Sequence, residues 1–530
     1  MQRRFETLCD VVRHHGRERS EAIAFRFDGR ETSFGKFETH CRGVAAALLA
    51  AGCRRGSRIA YLGKNSDLFF ELLLGAAHVG VVVVPLNWRL APAELGAILE
   101  DAEAELLFAT AEYHAGAQQI AVGHSGIRRV IAIEAGDDSG RHFTAWRDAA
   151  GLMADSDFQR SRADVFLQLY TSGTTGKPKG VMLSHDSVLG ALGAADEGGE
   201  PWRIWTPDKV ALVAMPVFHV SGSGWALGCF YGGGCSVILP EFSISGVEKA
   251  IAEDGVTHAM MVPAALQMLI DMWETGPGET GSDRWGSLRQ IVYGASPMPP
   301  ALLARCLKLL GCDFVQYYGM TETTGSTVAL TPEDHVTPVG DRLTSTGRVM
   351  SGNALRIVDP AGADVPAGTV GEVLVRTPGV MAGYWKMPEA TAETIGPDGW
   401  LRTGDAGYLD ADGYLFLRDR IKDMIISGGE NIYPIEVENA LASHSAVGEV
   451  AVIGVPDQRW GESVKAVVVL KHGASATADQ LAAHARRAIA GYKVPRSVDF
   501  VASLPRNASG KVLKRDLRAP YWAGHNRNVA

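Results

Sequence analysis

The stretch Tyr170-Thr171-Ser172-Gly173-Thr174-Thr175-Gly176-Lys177-Pro178-Lys179-Gly180 packs hydroxyls, glycines and lysines together. Glycine lets a backbone approach a ligand closely, and hydroxyl, ammonium and backbone N–H groups all donate to phosphate oxygens. The stretch follows an apolar strand pattern, Val165–Tyr170, and precedes a helical pattern starting near Ser184. An oxyanion-binding loop is the chemistry this predicts. It is not a Walker loop: only Thr174 and Thr175 separate Gly173 from Gly176, and Pro178 follows Lys177 where Ser or Thr would stand.

More chemistry-bearing segments follow. They are Met215-Pro216-Val217-Phe218-His219-Val220-Ser221-Gly222, Gly294-Ala295-Ser296, Gln316-Tyr317-Tyr318-Gly319-Met320-Thr321-Glu322-Thr323 and Thr403-Gly404-Asp405. Beyond them come Arg420-Ile421-Lys422-Asp423, Ser427-Gly428-Gly429-Glu430-Asn431 and Pro505-Arg506-Asn507-Ala508-Ser509-Gly510-Lys511. In this order, and over nearly the whole chain, they resemble the landmarks of the adenylate-forming superfamily: acyl-CoA synthetases, peptide-synthetase adenylation domains and firefly-type luciferases.

The resemblance implies an ATP-dependent acid–CoA ligase. A carboxylate is a poor electrophile, and attack on the α-phosphate of ATP turns it into a mixed anhydride with AMP as leaving group. Charge develops on phosphorus oxygens, so Mg²⁺ and cations are needed. The glycine-rich stretch, Thr171 through Lys179, is then the phosphate loop, with Thr171 counted among the catalytic groups. Glu322 resembles the metal ligand, and Thr321 the contact to the AMP phosphate. Tyr318, with Gly319 after it, is implied to stack on adenine, and Gly294, Ala295 and Ser296 to line the base pocket. Asp405 resembles the acceptor of both ribose hydroxyls, for which a carboxylate has the oxygens. Arg420 adds a ribose or phosphate contact. Lys511, a compact cation on a flexible stem, is the implied catalytic lysine. Lys422 occupies the hinge about which the C-terminal domain of such enzymes rotates, and Ser427, Gly428 and Gly429 form the CoA-side loop. His219 resembles the residue beside the acyl carboxylate, a gate to the thioester tunnel. Val220, Ser221, Gly222, Trp225, Met261, Val262 and Tyr293 are the acyl-pocket candidates, with glycine expected to leave open volume.

These groups must be positioned by a large scaffold. From residue 164 the pattern alternates strand and helix: Val210–Met215, Cys235–Leu239, His258–Val262, Leu288–Tyr293 and Phe314–Tyr317 read as strands, Val247–Glu253 and Ala264–Trp273 as helices. Such repetition predicts an α/β fold of doubly wound, mostly parallel sheets that bind ligands at strand carboxyl ends. Residues 347–417 read as a small β-subdomain, and the rest as an α+β lid. The resulting division is 1–419 for the N-terminal domain, 420–422 for the hinge and 423–530 for the C-terminal domain.

Composition sets limits. The chain has 530 residues, 46% hydrophobic, with net charge −9, which argues against nucleic acid as a partner. From Arg420 onward 15 Lys and Arg face 10 Asp and Glu, a basic surplus suited to a polyanionic ligand. The cysteines are odd in number, 7, without a C-x-x-C pair, as in a reduced cytoplasmic protein. Leu68–Leu86 imitates a membrane span, but Glu71, His78 and the Val81–Val84 run predict a buried helix followed by a buried strand. Peripheral membrane contact and a homodimer stay compatible with the sequence. The apolar pocket set favours a medium- or long-chain fatty acid, then an aromatic or cyclic carboxylate. A stand-alone enzyme loading a carrier protein is the alternative acceptor reading.

Overall fold

The membrane-like run resolves into a buried helix and an inner strand of a sheet. Ser66 caps the helix Asp67–Ala77, accepting from the Leu68 N–H at 3.3 Å, and every residue of that helix is buried. The strand Val82–Leu86 follows, buried on both faces, which is what an inner parallel strand requires and why its sequence is continuously apolar. Glu71 is tolerated because it is paired: its carboxylate meets His40 Nδ1 and an Arg147 guanidinium N–H, each at 2.6 Å. An unpaired charge there would cost several kcal/mol. Among the described residues no helix is long and apolar enough to cross a membrane.

This computed structural model describes residues 5–133, 142–154, 160–171, 178–275, 285–296, 298–336, 341–420, 423–428, 430–506 and 512–523. By contacts the chain divides into two units. The first takes Met1–Pro338, Val349–Ala354 and Arg376–Leu401; the second takes Val339–Arg348, Leu355–Val375 and Arg402–Ala530.

The first unit holds two sheets. In one, eight neighbouring strands run in the order Gly325–Leu330, Asp313–Met320, Gln290–Gly294, His258–Met261, Val210–Val213, Cys235–Ile238, Ile23–Phe27, Arg30–Ser33. Its inner strands from Asp313–Met320 to Ile23–Phe27 are parallel. The other has the order Gly383–Tyr384, Lys179–Ser184, Val165–Thr171, Val82–Leu86, Arg58–Leu62, Ala104–Ala109, Arg129–Ala132. It too is parallel inside and antiparallel at the edge carrying Lys179–Ser184. The α/β class is as the sequence predicts.

One local expectation changes. The glycine-rich loop does not lead from a strand to a helix; it joins two antiparallel strands, with Thr171 opposite Lys179 and Tyr170 opposite Gly180. The helix His185–Gly198 starts only after Lys179–Ser184, capped by Ser184. The helix that follows in sequence is therefore separated from the loop by a full strand.

The second unit carries the sheet Ala354–Val358, Gly371–Arg376, Leu401–Leu409, Leu415–Arg420. It also carries a five-stranded sheet built on the long Val447–Asp457 and Gly461–Leu470 hairpin. The helices Pro434–Ala442, Ala478–Ala485 and Lys514–Trp522 complete the α+β texture expected there.

Candidate active site

The parallel strands of the first sheet end in the segments singled out above. Val210–Val213 runs into the 214–219 segment with His219, His258–Met261 ends at Met261 and Val262, and Gln290–Gly294 leads to Ala295 and Ser296. Asp313–Met320 carries Tyr318 and Gly319 and passes into the 3-10 turn Thr321–Thr323. Neighbouring strands thus present these residues at one sheet edge, the carboxyl ends where such sheets bind ligands. The backbone there is shaped for close approach. A Cβ on Gly294 would sit 2.4 Å from the Tyr317 carbonyl oxygen, one on Gly319 would sit 2.0 Å from that of Gly325, and Ala295 adopts φ +65°.

Glu322 is buried, 7% exposed. Its Oε1 accepts a hydrogen bond from the Tyr384 hydroxyl at 2.8 Å, and its carbonyl accepts from the Met381 N–H, also at 2.8 Å. The ammonium of Lys179 lies 4.6 Å from the Tyr384 ring centroid. At the base of the loop the Tyr170 hydroxyl donates to Asp101, and burial with that carboxylate pushes its pKa well up. Gln168 donates to the same hydroxyl at 3.1 Å and accepts from Arg58, whose guanidinium lies 3.2 Å over the Trp385 ring. Residues 172–177 lie outside the described residues, so Ser172, Gly173, Thr174, Thr175, Gly176 and Lys177 are known here by sequence alone. A carboxylate accepting one hydrogen bond keeps lone pairs for a hard cation, and Mg²⁺ is held by one or two carboxylates plus substrate phosphates. Glu322 fits that role; among the described residues no cluster of three or more potential ligands exists.

His219 is the N-cap of the helix Val220–Tyr231, its carbonyl accepting from the Gly222 and Ser223 N–H groups at 3.0 and 3.1 Å. Its imidazole Nε2 is buried without a hydrogen-bond partner. Burial, with the Arg89 charge, pushes its pKa down to about 4. Trp225, on the same helix, is buried against Trp205 with ring centroids 4.7 Å apart, and its Nε1 also lacks a partner. Val220, Ser221 and Val262 keep some exposure.

Two acyl-pocket expectations change. Gly222 does not leave open volume: a Cβ there would lie 2.3 Å from the Pro216 carbonyl oxygen and 2.4 Å from that of Met215, so the glycine lets the helix start against the preceding segment. Tyr293 is fully buried in the core, its hydroxyl 2.9 Å from His335 Nε2 and 3.3 Å from Gln316 Oε1, and Met261 is 1% exposed.

In the second unit Thr403-Gly404-Asp405 lies within the strand Leu401–Leu409, and Asp405 pairs across the sheet with Arg420. The Thr403 hydroxyl donates to the Val373 carbonyl at 2.8 Å and accepts from the Asp405 N–H at 3.0 Å, while Gly404 takes φ +68°. Ser427 closes the short hairpin Ile425–Ser427/Glu430–Ile432, and Gly428 at φ +61° donates its N–H to the Trp460 carbonyl at 2.8 Å. Lys422, Gly429 and Lys511 fall outside the described residues.

Comparison with known families decides the affiliation. The AMP-binding enzyme family matches residues 12–385, and the AMP-binding enzyme C-terminal domain matches 436–511. The chain belongs to the AMP-binding enzymes. As a member of that family it is an enzyme of the adenylate-forming superfamily, with the α/β architecture of its relatives.

This AMP-binding enzyme is 39% identical to the fatty acid–[acyl-carrier-protein] ligase ScoC of Streptomyces coeruleorubidus, over 99% of this chain and 98% of that protein. It is 38% identical to a feruloyl-CoA synthase of an Amycolatopsis species, over 94% and 96%. The structure of ATP-bound MatB from Rhodopseudomonas palustris superposes with TM-score 0.86 at 31% identity, covering 98% of this chain and 100% of that one. Residues near the site that sequence reasoning passed over are Tyr384, Trp205 and Arg89. Each lies outside the motifs, and only the sheet register or the packing brings it to its partner.

Proposed function

We propose that the protein is an ATP-dependent acid–CoA ligase, converting a carboxylic acid, ATP and CoA to acyl-CoA, AMP and diphosphate through an acyl-adenylate. The observation that carries this reading is the link between the buried Glu322 carboxylate and Lys179 at the base of the phosphate loop, both set on Tyr384. An anionic group for a divalent cation and a cationic group for phosphates are what adenylation needs on either side of a triphosphate. In this reading Mg²⁺ supplies charge neutralisation at the phosphates. Thr171 and residues 172–177 bind phosphate oxygens, and Thr321 contacts the α-phosphate. Tyr318 stacks on adenine against Gly294, Ala295 and Ser296. Asp405 accepts the ribose hydroxyls and Arg420 supports it. Lys511 stabilises the adenylation transition state, Lys422 serves as hinge, and Ser427, Gly428 and Gly429 border the path of the thiol.

The preferred acid is a medium- or long-chain fatty acid, supported by the relative named for a fatty acid, with an aromatic or cyclic acid second, supported by the feruloyl-CoA synthase. The likeness to ScoC over nearly its whole length also favours a second acceptor, the phosphopantetheine arm of a carrier protein. The test is ATP–pyrophosphate exchange over a panel of acids, followed by AMP release with CoA or holo-carrier protein as acceptor. Exchange with apolar acids and CoA-dependent AMP release are expected. Exchange without transfer to CoA, but with transfer to the carrier, would replace the first reading by the second.

A further inference from the structure

Tyr384 lies outside every motif that the sequence singled out, yet it touches a charged group from each of two of them. Its hydroxyl donates to Glu322 Oε1 at 2.8 Å and its ring lies 4.6 Å from Lys179 Nζ. The phenol is 6% exposed. Its backbone is held from several sides: Ala382 donates to the Met182 carbonyl at 2.9 Å, Trp385 to the Gly180 carbonyl at 2.8 Å, and the Tyr384 N–H to Thr391 Oγ1 at 2.9 Å. The short strand Gly383–Tyr384 therefore rides on Lys179–Ser184, the strand that leaves the phosphate loop. A buried ring fixed in this way has little freedom, and both charged partners are oriented from it. The phenol uses its proton on the carboxylate and its electron-rich face on the ammonium, so one side chain serves groups of opposite sign.

We infer that Tyr384 is a positioning residue for adenylation. It holds the Glu322 carboxylate in the orientation that receives the divalent cation carried by the triphosphate, and it keeps Lys179 aligned with the phosphates. This deepens the ligase reading and rests on it. A purely structural tyrosine would affect every ligand alike, whereas a positioning tyrosine acts on metal-dependent binding alone.

Binding rather than turnover separates these cases. Calorimetry would follow a β,γ-imido ATP analogue across a Mg²⁺ series, and AMP without metal, on wild type, Tyr384→Phe, Glu322→Gln and the double variant. Tyr384→Phe keeps the ring and removes the hydroxyl. Losing a hydrogen bond to a charged group is expected to raise the Mg²⁺ concentration for half-maximal analogue binding about tenfold. AMP affinity should stay within about twofold, and Tyr384→Phe should add nothing further to Glu322→Gln, because the two act as one unit. Glu322→Asp, which retracts the carboxylate from the phenol, should shift the Mg²⁺ dependence similarly and serves as the test if Tyr384→Phe does not fold. An unshifted Mg²⁺ dependence, equal losses for AMP and analogue, or additive losses in the double variant would overturn the inference alone. A wild type that binds neither nucleotide would overturn the ligase reading with it.

Discussion

His219 carries an imidazole whose Nε2 is buried and unpartnered, and whose pKa is pushed down to about 4. With that value the imidazolium form is scarce near neutral pH, so the ring is not poised as a general acid. His219→Ala should therefore lower kcat/KM while leaving the shape of the pH–rate profile unchanged between about pH 5.5 and 8. Loss of a limb of the profile in this variant would show that the imidazole titrates in the reaction. Lys511 lies outside the described residues, and its proposed role is that of a cation at the adenylation transition state. Lys511→Ala should reduce acyl-adenylate formation by about a hundredfold or more, and leave thioester formation from preformed acyl-AMP largely intact. Both half-reactions failing equally would remove its proposed role. Lys511, Asp405 and Glu322 could be put forward from the sequence because each sits in a run of neighbours that together carry meaning. Tyr384 could not be, because it is brought to the site by pairing with a strand more than 200 residues earlier in the chain, Val181↔Tyr384 and Met182↔Gly383, and nothing local in Gly383-Tyr384-Trp385 signals that.

The helix Val220–Tyr231 shows how an element can mislead a residue-level reading. Glycines near its start looked like room for an acyl chain, yet Gly222 is where the helix presses on the carbonyls of Met215 and Pro216. Gly222→Ala should destabilise the fold by about 1–3 kcal/mol and depress activity on acids of every chain length alike. Gly224→Ala, whose new methyl would meet only Val220 Cγ2 at 3.2 Å, should be much milder. A chain-length series with melting curves on both variants checks this; a loss confined to long acids in Gly222→Ala would restore the pocket reading. The inner strands were readable because burial on both faces makes them continuously apolar. The strand Lys179–Ser184 was missed because it is short, starts on Lys-Gly at the loop's exit and runs straight into the Ser184 cap, so loop and helix signals overlap it.

Across the whole molecule, several histidines are kept neutral by burial. His78 is pushed down to about 3, and His185, His219 and His258 to about 4, against 6.5 for a free imidazole. Below pH 6.5 an unfolded chain takes up protons on these rings that the folded chain refuses until about pH 4, or about pH 3 for His78. Stability is then full above the free-imidazole value and declines as pH falls through that window. The summed effect is on the order of 10 kcal/mol at its lower end, comparable to the stability of a typical domain. Urea midpoints should fall clearly between pH 7 and pH 5, and midpoints that stay level would show these rings already charged in the fold. The buried pair Asp67–Ala77 and Val82–Leu86 adds a kinetic side to such measurements. Once the chain opens, this largely apolar segment is exposed to water and is free to join the same segment of another molecule. Heating should accordingly give apparent melting points that climb with scan rate and fall with protein concentration, and material cooled from above the transition should not regain its activity.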